Sequence, residues 1–94
     1  MIYITAIIKA KVEYREEVSK ALQHMVTKTR EEKACIQYDL HQGQDDENTF
    51  IFYEIWKDQE GLDKHNKQPY ILAFGELAQE KLQENPQIYL TDKI

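Results

Sequence analysis

Thr49-Phe50-Ile51-Phe52-Tyr53-Glu54-Ile55-Trp56 is the stretch on which the fold turns. Its aromatic and β-branched content marks a strand. The polar run before it, Gln42-Gly43-Gln44-Asp45-Asp46-Glu47-Asn48, reads as a hairpin loop. One parity of the strand carries Ile51, Tyr53 and Ile55; the other carries Phe50, Phe52, Glu54 and Trp56. Both are apolar. An antiparallel strand with one face in water alternates apolar and polar residues, so this one is expected to be covered on two sides.

Outward from that strand the periods change in a fixed order. Residues 35–42 alternate Ile36, Tyr38 and Leu40 with Cys35, Gln37 and Asp39, which predicts the hairpin partner. Upstream, Val18, Ala21, Leu22, Met25, Val26 and Thr29 recur at three- and four-residue steps, predicting an amphipathic helix from about 14 to 32. Glu16 and Glu17 sit near its start, where the helix dipole favours negative charge. Residues 2–10 alternate as a first strand. Downstream, Asp58 is placed to cap a short helix over 59–66, and Pro69 suits the first turn of a second piece running to about residue 83. Asn85-Pro86 stops it, and Ile88 and Leu90 mark a last short strand. The order β-α-β-β-α-β, with the second helix broken, is that of the ferredoxin-like α+β fold with an antiparallel sheet.

Such a unit places its helices on one side of the sheet only. Large side chains on the open side would forfeit roughly 1.5–3 kcal/mol each if left in water, and a greasy sheet face invites aggregation. A second copy laid sheet against sheet resolves this, so a homodimer is expected. Ninety-four residues suffice for one domain, spanning 1–94. With 41% hydrophobic and 31% charged residues the composition is that of an ordered globular chain. No apolar run approaches the roughly 20 residues of a membrane span. The N-terminus enters a strand at once, without a basic leader, so a cytoplasmic location is expected. Cys35 stands alone, so no internal disulfide is possible. The net charge of −5, with Lys and Arg scattered, argues against nucleic-acid binding.

Motifs for bound groups are lacking. Gly43, Gly61 and Gly75 form no phosphate loop, and His24, His41 and His65 have no paired metal-ligand spacing. What is left is an aromatic region with few ionisable groups. Glu54 and Trp56 share a strand face; His65 lies one turn beyond Leu62; Tyr70 and Phe74 follow at i, i+4. A pocket between the sheet and the broken helix would have aromatic walls, one imidazole and one carboxylate, and would suit a flat aromatic or quinone-like molecule. Each residue also has a plainer role available. A half-buried histidine often serves structure, Trp56 serves as core, and Cys35 reads as a small buried hydrophobe. Glu54 on an apolar face must be paired or protonated; His65, Tyr38, a backbone amide and the partner subunit are its candidate partners.

The run Cys35-Ile36-Gln37-Tyr38-Asp39-Leu40, then Phe52-Tyr53-Glu54-Ile55-Trp56, then Leu62, His65, Pro69-Tyr70 and Phe74 resembles the antibiotic biosynthesis monooxygenase family over essentially the whole chain. The resemblance implies a dimeric α+β barrel with a pocket between each sheet and its helices. It implies oxidation of a quinol or polyphenol by molecular oxygen, with no flavin, haem or metal cofactor. His65, Glu54 and Trp56 would then be the catalytic group, with His65 the base or a hydrogen-bond partner of substrate, Trp56 a pocket wall, and Glu54 with Tyr38 orienting them; Tyr38, Phe52, Tyr70 and Phe74 would contact substrate. Haem-degrading relatives carry an asparagine on the first strand; Tyr3-Ile4-Thr5-Ala6-Ile7-Ile8 has none, which argues against haem breakdown. Glu13-Tyr14 and Lys33-Ala34 replace turn residues common in the family, placing those element boundaries in question. Two alternatives stand beside the monooxygenase. One is a dimer that binds a small molecule without turnover. The other is an isomerase of a small signalling sugar phosphate, for which Lys57, Lys64 and Lys67 are the candidate phosphate contacts.

Overall fold

The computed structural model describes residues 1–94. Its elements are β1 (Ile2–Lys9), a 3₁₀ turn (Val12–Tyr14), α1 (Arg15–Thr29), β2 (Cys35–Gln42), β3 (Thr49–Trp56), α2 (Gln59–His65), α3 (Pro69–Lys81) and β4 (Gln87–Thr91). The four strands form one sheet in the order β2-β3-β1-β4, and every neighbouring pair is antiparallel. This is the α+β ferredoxin-like arrangement expected from the order of periods, with the second helix in two pieces.

Register explains the burial. Ile4, Ala6 and Ile8 of β1 lie opposite Glu54, Phe52 and Phe50 of β3, and Tyr38 of β2 lies opposite Glu54. All seven are buried, because this is the side on which the helices pack. Val18, Leu22, Met25 and Thr29 of α1, Leu62 of α2 and Phe74 of α3 meet them there. The other parity carries Tyr3, Thr5 and Ile7 of β1 against Tyr53 and its neighbours Ile51 and Ile55 of β3. No helix covers this side, and Tyr53 is 36% exposed in the single chain.

Helix α1 ends three residues before its expected limit. The amides of Glu31 and Glu32 donate to the carbonyls of Lys28 and Thr29, tightening the chain into i→i+3 turns that satisfy the helix-end carbonyls. Arg30 braces the turn by donating to the Tyr38 carbonyl at 3.0 and 3.1 Å and to Asp39 at 3.1 Å.

Helix α2 has only seven residues, too few to be stable alone. Its start is fixed twice. The Asp58 carboxylate accepts from the Gly61 amide at 2.8 Å, the cap expected from sequence. Gly61 itself lies against Ala34: a Cβ added there would come within 2.1 Å of the Ala34 Cβ and 3.6 Å of its Cα. Gly61→Ala is therefore expected to cost about 1–3 kcal/mol of stability in urea denaturation. Adding Ala34→Gly, which removes the obstructing methyl, should recover most of that loss; equal, additive costs would show that the contact does not govern the docking of α2.

Candidate functional site

A cavity of about 190 Å³ lies between the helix-facing side of the sheet and α2 and α3. Eleven of its 15 lining residues are hydrophobic, and Glu54, His65 and Asn66 are the polar ones. Parity on β3 brings Phe52 and Glu54 to it, β2 brings Tyr38, and one turn of α2 brings Leu62 and His65. The exposed side chains of Ile88 and Leu90 on β4 stand at its mouth. A separate polar hollow of about 390 Å³ lies on the outer side of α2 and shares no lining residue with the cavity.

Of the residues expected at the site, His65, Glu54, Tyr38, Phe52 and Phe74 line the cavity, whereas Trp56 and Tyr70 do not. Trp56 is wholly buried behind it, its ring 4.4 Å from the His65 imidazole and tilted by 42°. Its indole Nε1 donates to Glu54 Oε1 at 2.9 Å, so within the chain the partner of Glu54 is neither His65, Tyr38 nor a backbone amide. Two residues apart on one strand, acid and indole share a face and meet without any long-range contact. Tyr70 is drawn aside because its hydroxyl donates to Glu32. His24 and His41 are exposed, and Cys35 is part-buried, packed at the edge of the core. Burial, with help from Glu32 and Glu54, pushes the Cys35 thiol up to about 11, which keeps it protonated. Lys57 and Lys64 line the outer hollow with Lys33, and no lysine or arginine lines the cavity.

Glu32 is the residue that pattern reading passed over. His65 Nδ1 lies 2.9 Å from its Oε2, the oxygen that also accepts from Tyr70. The Tyr38 ring flanks His65 at 5.6 Å on an edge-on geometry. Glu32 sat in the charged run Arg30-Glu31-Glu32-Lys33, which reads as helix surface. A signal was present: it continues the buried series Val18, Leu22, Met25, Thr29 by one further three-residue step. Thr29 closes the cluster. Its buried hydroxyl has no hydrogen-bond partner.

The ionisation states follow from this packing. An acceptor carboxylate at Nδ1 favours the tautomer with its proton there, leaving the Nε2 lone pair free on a side chain that lines the cavity. Burial lowers the His65 pKa, and this outweighs the upward pull of Glu32. The imidazole is neutral at pH 7 and able to accept a proton. Burial also keeps both Tyr38 and Tyr70 protonated well past neutrality.

For Glu54, burial raises the carboxyl from 4.5 to about 6, against the opposing bond from Trp56. A raised carboxyl favours the fold fully below its unfolded value and loses that contribution as pH climbs through about 6. Between pH 4 and pH 8 the stability of Glu54→Gln relative to the parent chain should therefore rise by about 2 kcal/mol. Paired urea denaturations at the two pH values measure this, and a pH-independent difference would contradict the assignment.

The sequence profile of the antibiotic biosynthesis monooxygenase family matches residues 1–77. The chain is 38% identical over 82 residues to the Bacillus subtilis protein named "Putative monooxygenase YcnE", covering 87% of this chain and 86% of that one. It is 30% identical over 87 residues to "Uncharacterized protein sll1783" of Synechocystis. That match covers 93% of this chain but only 59% of the relative's length. A crystal structure titled as that of an antibiotic biosynthesis monooxygenase superposes with a TM-score of 0.93 at 29% identity, covering 100% of this chain and 99% of the other. Matched over most of its length, the chain belongs to the antibiotic biosynthesis monooxygenase family.

Proposed function

We propose that the protein is a homodimeric monooxygenase that oxidises a small quinol or polyphenol with molecular oxygen, without a flavin, haem or metal cofactor. The observation that carries this reading is an apolar cavity whose wall holds a neutral imidazole with a free Nε2. The monooxygenase name of the B. subtilis relative agrees with it. At about 190 Å³ the cavity is smaller than the roughly 300–1,000 Å³ of drug-sized sites. It fits a compact ring system.

In this reading the substrate hydroxyl gives its proton to His65 Nε2, and the resulting phenolate is the electron donor to oxygen. One oxygen atom enters the ring and the other leaves as water with two substrate hydrogens, so a quinol becomes a hydroxyquinone with no external reductant. The apolar walls exclude water from the anion and strengthen its contact with the newly protonated Nε2 of the ring. Trp56 holds His65 and Glu54 in place from behind. Tyr38, Phe52 and Phe74 supply flat contact surface. The isomerase alternative has less support, because its candidate lysines lie away from the cavity.

The homodimer is supported by the uncovered sheet side, where Ile7, Ile51, Tyr53 and Ile55 stand together. A matching surface on a second copy would bury them by sheet-on-sheet packing.

Oxygen uptake with a panel of quinols and polyphenols tests the chemistry. His65→Ala is expected to lower the rate by about 10²–10⁴-fold. Full activity in that variant would remove His65 from the mechanism, and saturable binding with no turnover would favour a binding protein. Because burial lowers the His65 pKa, the rate should hold as pH falls through 6.5 and drop only below it. Sedimentation should give a dimer at micromolar concentration, and Tyr53→Lys should shift it to monomer; a monomeric parent chain would refute the dimer.

A further inference from the structure

Glu32 stands between two hollows. Through its hydrogen bond to His65 Nδ1 at 2.9 Å it reaches the side chain that lines the apolar cavity. Its own side chain lines the outer polar hollow, together with Lys33, Lys57 and Lys64. The two hollows share no residue, and the carboxylate and the imidazole link the substrate's space to this water-facing space. When substrate fills the cavity, this pair gives His65 a second way to exchange protons with solvent, beside the mouth.

We infer that Glu32 is the positioning residue of His65 and its proton connection to solvent, by a route separate from the cavity mouth. The inference rests on the reading of His65 as the base. The ring takes the substrate proton at Nε2 and passes the Nδ1 proton to Glu32 Oε2, from which it leaves to water in the outer hollow. When Nε2 later delivers its proton to the departing oxygen atom, a proton returns to Nδ1 by the same path. The ring ends as it began, protonated at Nδ1, and the net proton count is zero.

Every element packed on the pair bears on it. Tyr38 from β2, Glu54 from β3 and Tyr70 from α3 face the cluster around His65. Glu31 and Cys35 lie near Glu32 along the chain, and Lys33, Lys57, Lys64, Asp58 and Glu60 share its hollow. Tyr70 donates to the same carboxylate oxygen, holding it in one orientation as a second anchor independent of the substrate.

Nitrogen-15 NMR of His65 tests the positioning role without any turnover. In the parent chain the ring should be the Nδ1-protonated tautomer; in Glu32→Gln it should titrate at a lower pH and show a mixed tautomer. An unchanged titration and tautomer would overturn the inference. For the relay, Glu32→Ala should lose about 10–100-fold in kcat at an unchanged KM, and added formate, reaching the vacated place through the outer hollow, should restore at least part of it. A folded variant, as judged by circular dichroism, that keeps full kcat or is not rescued by formate would overturn the relay. If the parent chain consumes no quinol at all, the proposed function fails, while the NMR titration still decides what Glu32 does for His65.

Discussion

The packing of the Trp56 indole joins the parts of the molecule that have least stability of their own. It is the last residue of β3, and it is fully buried against the His65 ring of α2 and, more distantly at 6.3 Å, the Tyr38 ring of β2. Its one polar atom is satisfied by Glu54 on the same strand. A seven-residue helix cannot hold itself in water, so α2 persists because the indole and the Ala34–Gly61 contact give it two places to rest. Were the indole removed, Glu54 would lose its donor and His65 its support together.

The strand and helix order was legible in the sequence because each element buries one face and so writes its period into the residues. The Thr49–Trp56 strand was legible for an additional reason: both of its parities are apolar, and only a sheet covered or coverable on each side tolerates that. Which parity faces the helices was not legible from hydrophobicity, since Ile51-Tyr53-Ile55 and Phe50-Phe52-Trp56 are equally apolar. Register with β1 decides it, through the buried Ile4, Ala6 and Ile8.

At the site, residues carried by regular elements were easier to place than residues whose position depends on a turn. Tyr38, Phe52, Glu54, His65 and Phe74 reach the cavity because strand parity or one helical turn takes them there. Glu32 lies just past the end of α1, in i→i+3 turns whose geometry no simple period describes. The displacement of Tyr70 has the same origin, since the carboxylate that attracts its hydroxyl could not be located. Glu54 was recognised as an acid needing a partner, but its partner was the neighbour two residues along, too ordinary a spacing to stand out.

Two glutamates of the same chain sit in contrasting surroundings. Glu54 receives a single neutral donor in a mostly apolar wall, and burial raises it to about 6. Glu32 receives two converging donors on one oxygen and keeps contact with a polar hollow. The first environment favours the neutral acid; the second aims one oxygen at the imidazole. An imidazole so oriented, and left neutral by its own burial, can take a proton inside an apolar space where a free histidine in water would have no advantage. The separation comes entirely from which side of α2 each acid meets, and that in turn is set where the Trp56 indole and Ala34 seat the short helix on the sheet.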